Sequence, residues 1–371
     1  MWQNHDLFGF ESIPTNTHST HDVVHNSSDS LLQALQHTQS PLGQEYLIND
    51  DGQVAPVFGT ASSSSSSSTS HTTQVVTPAP TLVGTAGGLQ INLIWDSSVS
   101  SAPSGFQQAV IDAAQYYTSQ FTNKEVININ VGYGEIAGGK LSSGALGESE
   151  SYGYLTNYST VTNALAKDGF TFAATNEPTK AQYFVTSAEA KTLGLINGTS
   201  TALDGYVGFG NLTGTGYSWN MTATTTGQNT GTGTSQFDLQ STALHEISEV
   251  MGRIGMEGAS VNHATTYTPL DLFNFKSTGS LALSPSSGFF STNNGVTNLG
   301  AFNNSAVNGG DISDWASAQT PTQAGTQGLP TGTHIMDAFA AFSYPGYNGD
   351  ISTSDLKEMA ALGYKPKSTI A

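Results

Sequence analysis

Cysteine is absent from the 371 residues, which removes disulfides, thiolate zinc sites and cysteine nucleophiles together. Basic residues are scarce: ten Lys and Arg stand against 28 Asp and Glu, for a formal charge of −18. Binding to nucleic acid through phosphate contacts needs the opposite sign, so no nucleic-acid partner is expected. Long apolar runs are missing as well, and none approaches the roughly 20 residues of a membrane span. Charged side chains of both signs make up only 10% of the chain, so solubility rests on the hydroxyls and amides of Ser, Thr and Asn. That is the look of an exported bacterial protein, secreted or held at the cell surface. The opening Met1-Trp2-Gln3-Asn4-His5-Asp6 has neither a basic n-region nor an apolar h-region, so a signal-less route such as type I secretion is expected.

What is present divides the chain in two. Residues 1–88 carry no sustained periodicity, and Ser62 to Ser68 is an unbroken serine run. This part is expected to be a disordered Ser/Thr-rich tail and linker, with a short helix over 29–39 and a strand near 45–48 as candidates inside it. Six of the nine histidines (His5, His18, His21, His25, His37 and His71) fall there and read as solvated polar filler. Residues 89–371 are expected to form one domain. Strand-like alternation at 89–95 and 126–134 brackets a helical pattern at 106–121, which implies parallel pairing through a right-handed crossover. Short helices are expected at 160–167 and 187–194, strands at 205–210 and 217–220, and a surface loop over 222–235. Ser352 or Ser354 caps a last helix, with Leu356, Met359 and Leu362 inward and Gly363 ending it.

The chemistry concentrates at Leu244-His245-Glu246-Ile247-Ser248-Glu249-Val250-Met251-Gly252. Residues four apart on a helix stand one above the other, so the His245 imidazole and Glu249 carboxylate can hold one metal ion from the same face. Glu246 sits about 100° round, placed to act on a metal-activated water without being a ligand. Leu244, Ile247, Met251 and Ile254 form an apolar stripe on the other side, which predicts one face packed and one facing a cleft. Asp238 or Ser241 is placed as the N-cap.

Phe237 to Glu246 resembles the approach to the active-site helix of metzincin-like zinc peptidases, the group that includes the serralysins. Gly252 falls at the glycine of H-E-x-x-H-x-x-G, and Ser354 to Tyr364 resembles the closing helix of those domains. Glu246 to Arg253, Thr268 to Phe273, Gly295 to Leu299 and Asp311 to Trp315 together are similar to a group of uncharacterised bacterial exported proteins of H-E-x-x-E type. The likeness covers roughly residues 89–365. It implies an α+β, zincin-like catalytic domain with a mixed twisted sheet, an active-site helix and a C-terminal helix. It also implies a zinc-dependent endopeptidase acting on protein or peptide substrates, with Glu246 as general base and His245 and Glu249 as ligands. The metzincin third-ligand position is Gly255, which has no side chain, so that ligand comes from elsewhere. Gluzincin peptidases take it from an acidic residue on a later helix, which makes Asp271 the first choice, with His263 and His334 as alternatives. Capping a helix or pairing with Arg253 is the competing role for Asp271. Met336 is the candidate for a methionine beneath the metal, and Tyr267 for an oxyanion donor. The alternative reading is a catalytically inactive, peptidase-derived binding or surface-layer protein, with structural Ca2+ in loops such as Gly309 to Asp314.

Overall fold

Alternating apolar residues become strands, most of which join one mixed ten-stranded sheet with helices packed against it, while a two-stranded and a four-stranded sheet stand apart among the described residues. The computed structural model describes residues 42–49, 53–57, 77–142, 144–222, 236–285, 288–308, 310–316 and 351–368. Three short strands come first: β1 (Glu45–Asn49), β2 (Val54–Pro56) and β3 (Thr81–Val83). β4 (Gln90–Trp95) buries every second residue, Ile91, Leu93 and Trp95, as period-two alternation requires. The helix α1 (Phe106–Gln120) follows, with Phe106, Ala109, Val110, Ala113, Ala114 and Tyr117 inward. β5 (Val126–Tyr133) then pairs with β4 in parallel, register Ile91 to Ile127 through Trp95 to Val131. The expected strand, helix, strand crossover is therefore present.

The long strand β6 (Gly147–Asn157) leads into α2 (Tyr158–Ala166), and β7 (Gln182–Thr186) into α3 (Ser187–Thr192). β8 (Gly205–Phe209), β9 (Ser218–Asn220) and β10 (Gln236–Asp238) precede the motif helix α4 (Leu239–Val250). β11 (Ala259–Val261) and β12 (Ala264–Tyr267) form a hairpin beyond it, and α5 (Thr353–Ala361) is the last helix among the described residues. The main sheet runs β11-β12-β7-β6-β8-β5-β4-β3, with β1 and β2 added at β6. β6 is antiparallel to β1, β7 and β8. The architecture is α+β with a mixed sheet.

The sheet takes in residues ahead of the expected start at Leu89, since β1 and β2 join it at β6 and β3 at β4. The candidate strand near 45–48 is present as β1, whereas the candidate helix over 29–39 and nearly all of the expected loop over 222–235 lie outside the described residues. Among the described residues, no helix is long and apolar enough to cross a membrane.

Helix α4 packs against β6 and β8 of the sheet and against α1, which itself packs on β3 and β4. The Tyr117 hydroxyl donates to the Leu244 carbonyl at 2.7 Å, and the Tyr364 hydroxyl donates to the Met251 carbonyl at 2.9 Å. Those two bonds tie the middle and the C-terminal end of the motif helix to the surrounding core.

Candidate metal centre

Asp238 starts the helix that carries the site, its carboxylate accepting from the Ser241 backbone N–H at 3.1 Å. Burial pushes this carboxyl up to about 6, against the hydrogen bonds that lower it. After the last turn the chain reverses at Gly252, whose φ of +114° is a conformation that suits glycine. A Cβ there would lie 3.1 Å from the Glu189 side chain. The glycine therefore lets α3 approach the helix end.

The sequence predicted one packed face and one open face. All twelve residues of α4 are instead buried, including His245, Glu246 and Glu249. The reason lies in β6, where Gly147, Ser149 and Ser151 are buried. A Cβ at Gly147 would fall 2.2 Å from Glu246 Oε1, and the Ser149 hydroxyl donates to Glu249 Oε2 at 2.9 Å. Small residues on alternate positions of β6 make room for the acidic face of α4.

His245 Nε2 lies 3.2 Å from Glu249 Oε1, as their i, i+4 spacing implies, and 3.4 Å from Asp314 Oδ1. His245, Glu249 and Asp314 are the one group of three or more His, Asp or Glu among the described residues whose ligand atoms all fall within 4.8 Å of one another. Zinc ligands at about 2.0–2.2 Å in tetrahedral array stand about 3.3–3.5 Å apart. The 3.4 Å separation falls in that range and the 3.2 Å separation just below it. Asp314 Oδ2 is buried and takes no hydrogen bond among the described residues, which suits a carboxylate whose partner is a cation. By these tests the three side chains fit a metal ion.

Arg253, fully buried, brings a cation to the cluster. Its Nη2 donates to Glu249 Oε1 at 3.0 Å, its Nη1 donates to Asp314 Oδ1, and its Nε donates to the Ser248 hydroxyl at 2.7 Å. Burial works to raise Glu249, but the neighbouring His245 and Arg253 hold it below the ordinary carboxylate value. Burial and the Glu249 charge keep Asp314 above its own, with His245 and Arg253 offsetting part of the rise. Burial also pushes Glu358 on α5 well up, Arg253 acting against it. Each carboxylate oxygen has two lone pairs, so contact with Arg253 leaves one free for a metal.

Asp314 is held by its neighbours. Trp315 stacks on Phe302 at 5.2 Å and donates from Nε1 to Asp355 Oδ1, while the Asp314 carbonyl accepts from Asn303 N at 2.7 Å. Sequence reasoning placed Asp314 in a calcium loop, yet its carboxylate belongs to the α4 cluster. The signal that would have found it is an aspartate followed by a tryptophan destined for the core.

Asp271, the predicted third ligand, does not reach the cluster. Its Oδ2 accepts from the backbone N–H groups of Thr268 (2.7 Å), Met256 (3.1 Å) and Glu257 (3.2 Å). It organises the turn before a short 3-10 helix at Leu270–Phe273, whose N-cap is Pro269 with no side-chain capping bond, so Asp271 neither ligates nor caps but gathers backbone N–H groups of the preceding turn. Arg253 pairs with Glu249 and Asp314 rather than with Asp271. At Gly255 the nearest side chains are Ile312 and Asp271, so the segment that passes this position is the one supplying Asp314. His263 is exposed in the β11–β12 turn with φ +65°. Tyr267 donates its hydroxyl to the Leu283 carbonyl at 3.2 Å. His334 and Met336 lie outside the described residues. The chain matches no protein-family model, no curated protein and no solved structure.

Proposed function

We propose that the chain is an exported metal-dependent peptide hydrolase of zincin-like architecture, with His245, Glu249 and Asp314 as ligands and Glu246 as general base. The observation that carries this reading is the pair of 3.2 and 3.4 Å separations from His245 Nε2 to two buried carboxylates, Glu249 on the helix that also presents Glu246 and Asp314 on the downstream segment. A divalent cation bound there supplies Lewis acidity, activating water at neutral pH and polarising the carbonyl under attack. Glu246 accepts the proton and returns it to the leaving amine. Its carboxylate is packed against Gly147, which holds it in place for that transfer. Arg253 orients both ligand carboxylates and offsets their charge. Export is supported by the scarcity of charge and of cysteine. One imidazole and two carboxylates form a donor set richer in oxygen than the common zinc sites, so manganese belongs in the test beside zinc.

One observation favours the inactive alternative: the Arg253 guanidinium already bonds both ligand oxygens and supplies a cation to the pair. Metal content by elemental analysis, with peptide hydrolysis in wild type and Glu246→Gln, separates the two. The enzyme reading expects bound metal in both proteins and hydrolysis in wild type alone. Metal-free protein after equilibration with zinc or manganese supports the inactive scaffold.

A further inference from the structure

Thr186-Ser187-Ala188-Glu189 has the sequence of a capping box, in which the glutamate carboxylate returns to the threonine N–H. Half of that box is made. The Glu189 N–H donates to Thr186 Oγ1 at 3.2 Å, but Thr186 also ends β7, paired with Gly153 of β6, and the Glu189 carboxyl goes elsewhere. It lies against Gly252 at the end of α4, where an added Cβ would stand 3.1 Å from its Oε2. Glu189 is 0% exposed, and neither of its oxygens takes a hydrogen bond among the described residues. The cations on the two packed helices are committed to other acids. Lys191 of α3 holds Asp204 at 2.5 Å and the Val126 and Ser200 carbonyls, and Arg253 beyond α4 holds Glu249 and Asp314. Tyr364, beyond α5, is the titratable group that faces Glu189, with Glu125 and Asp204 behind it, and its hydroxyl donates to the Met251 carbonyl. The strands packed on α3, β6 and β7, bring no charge to Glu189. Burial alone pushes its carboxyl well above the ordinary value. The C-terminal end of a helix carries partial negative charge, which disfavours an anion at Gly252 further.

The turn that Glu189 presses on is the one that aims Arg253. Gly252 N donates to Glu249 O at 2.9 Å and Arg253 N to Ser248 O at 3.0 Å, and the guanidinium then reaches both ligand carboxylates. We propose that Glu189 is a proton-operated latch on this turn: uncharged, it lets α3 close on Gly252 and fixes Arg253 at the ligand carboxylates; ionised, it parts α3 from the turn and loosens the metal centre. An anion with neither hydrogen bond nor counter-charge is unstable in an interior, so it admits water or moves out. The closed form holds the proton more tightly than the open one, so closure is complete on the acid side and is lost as pH climbs through the raised value. Closure stands on Glu189 and Gly252 alone; the loosening of the metal centre rests on the metal-dependent reading.

The test follows hydrogen exchange at the Gly252 and Arg253 amides of the full chain, corrected for intrinsic rate, at about pH 6 and about pH 9. In wild type their protection falls at least about tenfold over that span, whereas in Glu189→Met, of similar bulk and with no proton to lose, it stays level. Should Glu189→Met not fold by circular dichroism, Glu189→Gln takes its place. Protection that stays level in wild type, or that falls equally in the variant, overturns the proposal. Titration calorimetry of manganese into chelator-treated protein under argon supplies the second arm. Measured against Glu189→Met at the same pH, which cancels protonation of the ligands themselves, wild type loses about tenfold in affinity between about pH 6 and about pH 9. Protection that falls while this ratio holds constant cuts α3 off from the metal centre and overturns the latch. A wild type that binds no manganese at either pH, with protection still falling, counts against the metal-dependent reading and upholds closure by Glu189.

Discussion

Glu249 stands one helical turn after His245, and its neighbours explain how a buried carboxylate is tolerated there. Ser149 and Arg253 bond its two oxygens, and His245 lies 3.2 Å away. A carboxylate isolated in this interior would be costly, but one paired and hydrogen-bonded on both oxygens is not. Glu246→Gln keeps the shape of the side chain and removes its basicity. We expect kcat for peptide hydrolysis to fall about 10²- to 10⁴-fold with metal content unchanged, and a variant of undiminished activity would refute the assigned base. Gly147→Ala adds a Cβ that falls 2.2 Å from Glu246 Oε1. It should lower kcat while leaving metal stoichiometry intact, which activity assays and elemental analysis on the same sample can read. Arg253→Met leaves two carboxylates without their guanidinium and should cost about 3–5 kcal/mol by chemical denaturation in chelator, with zinc restoring part of the loss.

At the scale of elements, α4 works because its ends are fixed. Asp238 caps its start, and Asp238→Ala should cost on the order of 1 kcal/mol in urea denaturation. A cost near zero would mean that the sheet and α1 alone hold the helix. Elements with strong local signals were legible in the sequence: the period-two alternation of β4 and β5, the apolar face of α1 and the caps at Asp238 and Ser352. The His245, Glu246, Glu249 constellation was legible too, because i, i+4 geometry is a property of one helix. Asp314 was not, because it reaches His245 from a segment more than sixty residues downstream and its position depends on Trp315 packing on Phe302. Asp271 misled for a related reason. An aspartate among apolar residues signals burial, but three backbone N–H groups satisfy it as well as a metal does. The closed face of α4 also escaped sequence reasoning, since only the pairing of β6 brings Gly147 and Ser149 over the polar side of the helix.

Across the whole molecule, burial raises many carboxyls at once: Asp238 and Asp271 to about 6, Glu150 to about 7. In the unfolded chain these groups return to ordinary values near 4. Between those limits the folded chain holds more protons than the unfolded one, so stability falls as pH rises. The contribution is fully present below about pH 4 and is lost as pH climbs through about 6 to 7. Glu249, held low, works the other way and loses its contribution only in stronger acid. With chelator present, melting at pH 5 should therefore lie on the order of 5 °C above that at pH 8. A melting temperature that climbs steadily from pH 5 to 8 would contradict this charge balance. The central claim is that one divalent cation binds at His245, Glu249 and Asp314. Titration calorimetry of zinc and manganese into the chelator-treated full chain, with Asp314→Asn and Asp271→Asn alongside and folding checked by circular dichroism, tests it most directly. The account predicts one ion per chain in wild type and Asp271→Asn and none in folded Asp314→Asn; an ion retained by Asp314→Asn, or none bound by wild type, would contradict it.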